Sequence, residues 1–318
     1  MTGRSVVAIG GGHGLYTSLQ ALRRVADEVT AIVTVADDGG SSGRLRDEMG
    51  ILPPGDLRMA LSALCDDSEW GTTWRDVLQT RFSTSGPLDG HALGNLLIAG
   101  VWERTGDIVE GLRWVGQLLK ADGVVLPLAA EPLEISAIVD GPDGPRFVRG
   151  QVAVASATGR LQGLRLEPER PLVPQATLDA LARCDAVVMG PGSWFTSVLV
   201  HFLVEPVAEA LVNAGPRTVI TLNIAHEDTE TADDDRVDDI RALRALEPRF
   251  RPAAVVVDTQ HDDEELRAEV EDWGVRMVVA DMKREGTAYR HDVGRLAGQL
   301  EAVLATLPGS AAGPKMAG

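Results

Sequence analysis

The chain of 318 residues has room for one large domain or two modest ones, and with 44% hydrophobic and 24% charged residues it has the make-up of an ordinary globular protein. Its 47 acids outnumber 30 lysines and arginines, and the net charge of −17 repels nucleic acid and anionic membrane as general partners. No apolar run approaches the ~20 residues of a membrane span, Met1-Thr2-Gly3-Arg4 leaves no place for a signal peptide, and Cys65 and Cys184 read as reduced thiols, so no membrane insertion and a cytoplasmic location are expected.

An apolar, β-branched run at Val6–Ile9 predicts a buried strand. Gly10-Gly11-Gly12-His13-Gly14 follows, and a helix opening at Leu15 would aim its N–H groups and positive dipole end at that turn, which suits phosphate. A second strand from Thr30 ends on Asp37, where a first βαβ unit often sets an acid against a ribose hydroxyl. The dinucleotide fingerprint is off pattern, because Leu15 stands where the third glycine belongs and Gly14 comes one place early. Read alone, the cluster is either a tight turn or half of a nucleotide site. Asp37-Asp38-Gly39-Gly40-Ser41-Ser42-Gly43 favours the site, since it supplies carboxylates, hydroxyls and free backbone donors together.

Pro53-Pro54-Gly55 forces a turn, Asp56 is placed to cap a helix from Leu57 to about Cys65, and the spacing from Glu69 to Gln117 is helical. This predicts a helical block inserted over about 56–120, with Trp70, Trp74 and Trp102 as packing residues. Within it, His91 and Asn95 share a helix face; they either satisfy buried polar groups or look into the cleft. Residues 124–166 read as mainly antiparallel strands, at Val124–Leu128, Leu133–Val139, Phe147–Val154 and Leu161–Leu166, with a hairpin turn at 140–145.

The βαβ rhythm resumes with a helix at Gln175–Arg183 and a strand at Ala186–Met189, followed by a second glycine-bearing loop, Gly190-Pro191-Gly192-Ser193. Strands at Arg217–Leu222, Ala253–Val257 and Val275–Val279 end in Asn223, Asp258 and Asp281, as Asp37 ends an earlier one. Polar strand ends of this kind mark the ligand edge of a doubly wound sheet. Acids over 227–239 and 262–265 read as solvated. Asp292 reads as the cap of a last helix, Val293–Leu307, with Arg290 before it as a candidate anion contact. Residues 1–308 are expected to form one α/β domain of mostly parallel strands, and 309–318 a disordered tail.

Four blocks carry a resemblance: Gly10–Leu15; Thr30–Arg46 with Gly50-Ile51-Leu52-Pro53-Pro54-Gly55-Asp56-Leu57-Arg58; Gly90–Ile98; and Gly190–Ser193. Together they resemble the bacterial gluconeogenesis factor family (YvcK type), in one superfamily with 2-phospho-L-lactate transferase (CofD), across nearly the whole chain. The resemblance implies a Rossmann-like fold with an inserted helical region, and a cytoplasmic regulator that binds UDP-sugars, UDP-N-acetylglucosamine above all. Such regulators support cell shape and envelope-precursor supply on gluconeogenic carbon. This chain departs from the family pattern at His13, Met59, Glu227 and Thr229, which leaves the two glycine loops as the firmer contacts.

The expected ligand residues are Gly11, Gly12, His13, Gly14, Asp37, Asp38, Ser41, Ser42, Gly43, Asn95, Gly190, Gly192, Ser193, Asn223 and Arg290. No triad of nucleophile, base and orienting acid is found, so binding without turnover is expected. Two alternatives stand beside it: a CofD-type transferase holding Mg²⁺ on Asp37 and Asp38, and an NAD-binding protein. A regulated biosynthetic enzyme as protein partner and a homodimer are further expectations.

Overall fold

The computed structural model describes residues 4–141, 144–157, 159–224 and 236–308. Two apolar runs set the frame, β1 (Ser5–Gly10) and β2 (Glu28–Val33), joined by α1 (Gly12–Leu22). Leu15, Ser18, Leu19 and Leu22 recur at three- and four-residue spacing and form the buried face of α1. The helix starts earlier than the sequence predicts. Gly11 is its N-cap, in extended backbone, so His13 and Gly14 already lie in the first turn.

The stretch after Asp38 is also not the simple loop expected of it. A helix, α2 (Gly40–Met49), begins inside the Gly/Ser run. Its first turn packs so closely that a Cβ on Gly43 would sit 2.1 Å from the Asp38 carbonyl oxygen. Four helices follow as one block: α3 (Gly55–Leu64), α4 (Glu69–Gln79), α5 (Leu93–Thr105) and α6 (Ile108–Leu119). Trp102 is core, whereas Trp70 stands 45% exposed on the rim, its ring 5.7 Å from that of Trp74.

Strand β3 (Val124–Pro127) corrects the expectation of an antiparallel start to the next region. It pairs parallel with β2, Ala31 opposite Val125, and extends the main sheet. The antiparallel unit is smaller: β4 (Glu134–Gly141), β5 (Gly144–Arg149) and β6 (Arg160–Glu167), with β4 in the middle. The strand expected over Phe147–Val154 stops at Arg149, because Gly150 (φ 100°) turns the chain into a short helix, α7 (Gln151–Ala155). Helix α8 (Gln175–Arg183) matches the expected bounds and leads to β7 (Ala186–Met189).

A π-helical turn at Trp194–Val198 runs into α9 (Val200–Leu203) and α10 (Glu205–Ala214). Then come β8 (Thr218–Thr221), α11 (Arg236–Leu246), β9 (Ala254–Asp258), α12 (Glu264–Asp272), β10 (Arg276–Ala280) and α13 (Val293–Leu304). The seven-stranded sheet has the order β10-β9-β8-β7-β1-β2-β3, and every pairing in it is parallel. The order therefore reverses at β1, whose neighbours are β2 and β7. That is the switch point of a doubly wound sheet, and the crevice beyond its carboxyl ends is where such sheets bind ligands. Asp292 caps α13 by accepting from the Arg295 N–H at 2.9 Å. The Glu227 and Thr229 departures and the 309–318 tail lie outside the described residues.

Candidate functional site

Two glycine loops leave the sheet side by side, one after β1 and one after β7. They touch. A Cβ on Gly14 would lie 2.1 Å from the Pro191 carbonyl oxygen and 2.6 Å from Gly192 Cα, and one on Gly192 would lie 3.7 Å from the Gly11 carbonyl oxygen. Only glycine allows this approach. The second loop is fixed from behind by three bonds: Asn223 Oδ1 accepts from the Gly192 N–H (2.8 Å), Asn223 Nδ2 donates to the Gly192 carbonyl (2.8 Å), and Ser18 Oγ donates to the Gly190 carbonyl (2.7 Å). Ser193 hydrogen-bonds the Thr196 hydroxyl, and Thr196 is fully buried.

An acidic wall faces the start of α1. A Cβ on Gly11 would meet Asp56 Oδ2 at 2.5 Å, Thr34 Cγ2 at 2.7 Å and Ser197 Oγ at 3.2 Å, while one on Gly55 would meet Ser42 Oγ at 2.3 Å and Asp37 Oδ2 at 2.9 Å. Asp56 is held up to about 7 by burial and by the neighbouring Asp37 carboxylate, against the Gly12 N–H and the Arg58 guanidinium, which favour its charge. A carboxyl therefore already sits at the helix start suited to an anion. The Thr34 hydroxyl, buried just past the end of β2, has no hydrogen-bond partner among the described residues. Asp38 faces elsewhere: its Oδ1 accepts from the Val152 N–H at 2.9 Å and so caps α7. The carboxylates that face each other are Asp37 and Asp56, and among the described residues no group of three or more metal-ligating side chains forms.

Comparison with known proteins places the chain in a lineage. The model of the family "2-phospho-L-lactate transferase CofD" matches residues 6–293. The chain belongs to the CofD family. A relative from Mycobacterium tuberculosis is 43% identical over 318 residues, covering 97% of this chain and 93% of its own. The gluconeogenesis factor of Bacillus subtilis is 37% identical, covering 75% and 73%. A crystal structure of a UPF0052 family member from Bacillus halodurans superposes with a TM-score of 0.84 at 31% identity, over 96% of this chain and 99% of that one. The gluconeogenesis factor branch named from the sequence is borne out, and so is the α/β fold.

In this CofD-family chain the expected residues divide into three groups. Gly11, Gly12, Gly14, Gly190 and Gly192 meet at the switch point, with Asp37 and Ser42 on the adjoining wall; His13 is exposed beside them. Ser41 and Asn95 belong to a buried polar chain. The Ser41 hydroxyl accepts from Asn95 Nδ2 (3.0 Å) and from the Ala92 N–H (3.3 Å), leaving its own proton for His91 Nδ1 at 3.0 Å. Asn95 Oδ1 accepts from Arg58 Nε at 2.8 Å. His91 and Asn95 are thus satisfied within the protein. The third group is Arg290 alone, exposed over the Tyr289 ring in the segment between β10 and α13. Asp258 and Asp281 are committed too, Asp258 accepting from the Gln260 and Met282 N–H groups and Asp281 pairing with Arg295. Sequence reasoning passed over Asp56, Thr34, Arg58 and Ser197. The Gly55-Asp56-Leu57-Arg58 block carried the signal for two of them, since a helix cap alone does not require an arginine two residues on.

Proposed function

We propose that this protein binds a nucleoside-diphosphate sugar of the UDP-N-acetylglucosamine kind across the β1/β7 switch point, and regulates carbon flow into cell-envelope precursors without turning the ligand over. The observation that carries the reading is the contact of Gly14 with Pro191 and Gly192, which makes one crevice of two loops whose backbones come within a glycine's reach. The start of α1 offers N–H groups and its dipole to phosphate oxygens, and Asp37 stands where a first βαβ unit meets a ribose or sugar hydroxyl. The relatives named gluconeogenesis factor support the regulatory half. Calorimetry with UDP-N-acetylglucosamine tests it: saturable binding is expected in the wild type, weakened at least tenfold by Asp37→Ala. Absence of binding at millimolar ligand would overturn the reading.

One observation favours a transferase as the second reading. Asp37 and Asp56 face each other, and hard cations such as Mg²⁺ are held by one or two carboxylates plus substrate phosphates. The pair fits that role better than Asp37 with Asp38. Phosphorus NMR of the protein with Mg²⁺, nucleotide-sugar and candidate acceptors would show new resonances if transfer occurs; an unchanged spectrum removes it.

A further inference from the structure

A second charged feature lies where α2 meets the helical block, around the turn at Gly90. Arg44 Nη2 donates to the Asp89 carbonyl at 2.7 Å and Nη1 to the Pro87 carbonyl at 3.2 Å, while Arg81 Nη1 donates to the next carbonyl along, that of Gly90, at 2.8 Å. Two guanidinium groups from different elements thus converge on one turn, which Gly90 makes at φ 71° with Arg44 Nη2 3.6 Å from the position of a Cβ. Beneath them lies Arg58, only 4% exposed, whose described partners, Asn95 and Gln79, are both neutral amides. Among the described residues none of the three arginines has a carboxylate within ion-pair distance, in a chain with 47 acids to draw on.

The like charges are felt. Arg58 has the Arg81 charge on one side and the Asp56 and Asp37 carboxyls on the other. His91 is lowered by burial, Arg44 and Arg81, against Glu48, the acid that faces it from α2. Asp89, the nearest acid in the turn, is turned back to cap the Thr84 N–H at 2.9 Å. A buried arginine keeps its charge; Asp56 and Asp37 answer that of Arg58 in part, whereas Arg44 and Arg81 have no carboxylate within ion-pair distance among the described residues. Guanidinium groups offer five N–H donors each, in a fork that suits planar and tetrahedral oxyanions, and here five hydrogen bonds to described residues engage the three groups.

We propose that Arg44, Arg81 and Arg58 around the Gly90 turn form a second anion site, for a compact oxyanion, the phosphate or carboxylate group of a small molecule. It does not require the nucleotide-sugar reading, although Arg58 also borders Asp56 and Asp37 on the acidic wall. The buried chain from Arg58 through Asn95 to Ser41 connects it to the first turn of α2, whose next residue, Ser42, borders Asp37.

Thermal melting of the full chain at constant ionic strength tests the site. The probes are inorganic phosphate and malonate, each exchanged against sodium chloride. Saturable stabilisation by one or both is expected in the wild type and in Arg183→Gln, a charge-loss control at a distant exposed arginine. Arg44→Gln/Arg81→Gln should raise the half-saturating concentration at least tenfold, with Arg81→Lys in between. The relative response to the two probes tells phosphate from carboxylate. A linear response equal in all variants would be a generic salt effect and would overturn the proposal, as would no stabilisation of the wild type. UDP-N-acetylglucosamine titrated into the same proteins separates this result from the nucleotide-sugar proposal, because each can fail alone.

Discussion

Gly14→Ala is the most direct probe of the switch point. The added methyl would lie 2.1, 2.5 and 2.6 Å from Pro191 O, Pro191 C and Gly192 Cα, all backbone atoms of a loop that Asn223 and Ser18 hold from behind. Ordinary contact needs about 3.5 Å, so the loops must part by roughly 1 Å. Overpacking of this kind costs about 1–3 kcal/mol. Alanine in place of glycine in a helix offsets about 0.5–1 kcal/mol of that, leaving a net loss of up to ~2.5 kcal/mol and centred near ~1 kcal/mol, or roughly 1–4 °C in Tm for a chain of this length. Gly100→Ala is the matched control, since it lies exposed within α5 with nothing within 4 Å of its Cβ; it should gain about 0.4–1 kcal/mol. Urea denaturation of both variants, with calorimetric titration of UDP-N-acetylglucosamine, is the assay. If Gly14→Ala matched Gly100→Ala in stability and kept the affinity of the wild type, the contact between the loops would be refuted.

Asp38→Ala should cost about 0.5–2 kcal/mol, the worth of a lost helix cap, because Asp38 holds the Val152 N–H; Asp38→Asn keeps an acceptor and should recover most of it in the same urea titration. Asp56 makes stability depend on pH in a direction that can be worked out. Its folded value, about 7, exceeds the unfolded 3.8, so ionisation costs more in the folded chain and stability falls as pH rises from about 4 to 7. The shift corresponds to a ceiling of about 4 kcal/mol. Asp56→Asn should therefore be more stable than wild type by about 2–4 kcal/mol at pH 8, with the difference shrinking toward pH 4. An equal difference at both pH values in urea melts would contradict the assignment. His201 and His291, held near 4 by burial, act in the opposite sense, and their contribution is lost as pH falls from 6.5 toward 4. Comparing variant with wild type at each pH separates the two effects.

What the sequence made legible was whatever neighbouring residues decide. The β-branched runs of β1, β7, β8 and β9 and the periodic leucines of α1 are local signals. The glycine loops stood out because helix and strand interiors disfavour glycine. Helix α2 was hidden by its composition: Gly40, Ser41, Ser42 and Gly43 are weak helix formers, and Leu45 is its only large apolar buried residue. The sheet that β3 joins is a matter of partner, which Val124-Val125-Leu126 cannot announce. Strand β5 ends where Gly150 turns, although the valines beyond it have strand character. The exchange of Asp38 for Asp56 on the acidic wall has the same origin. Adjacent carboxylates look like a pair on paper, yet backbone direction sends them apart and brings in one from 19 positions downstream of Asp37.

Asn223 engages both backbone groups of Gly192 with one side chain, and it does so from just beyond the end of an interior strand. The entropy of ordering that turn is lost when the chain folds, so a molecule docking there would meet a rigid rim and would not have to freeze it. Preorganisation of this sort is expected to show in rates: association governed by encounter rather than rearrangement, and discrimination among ligands expressed in how fast they leave.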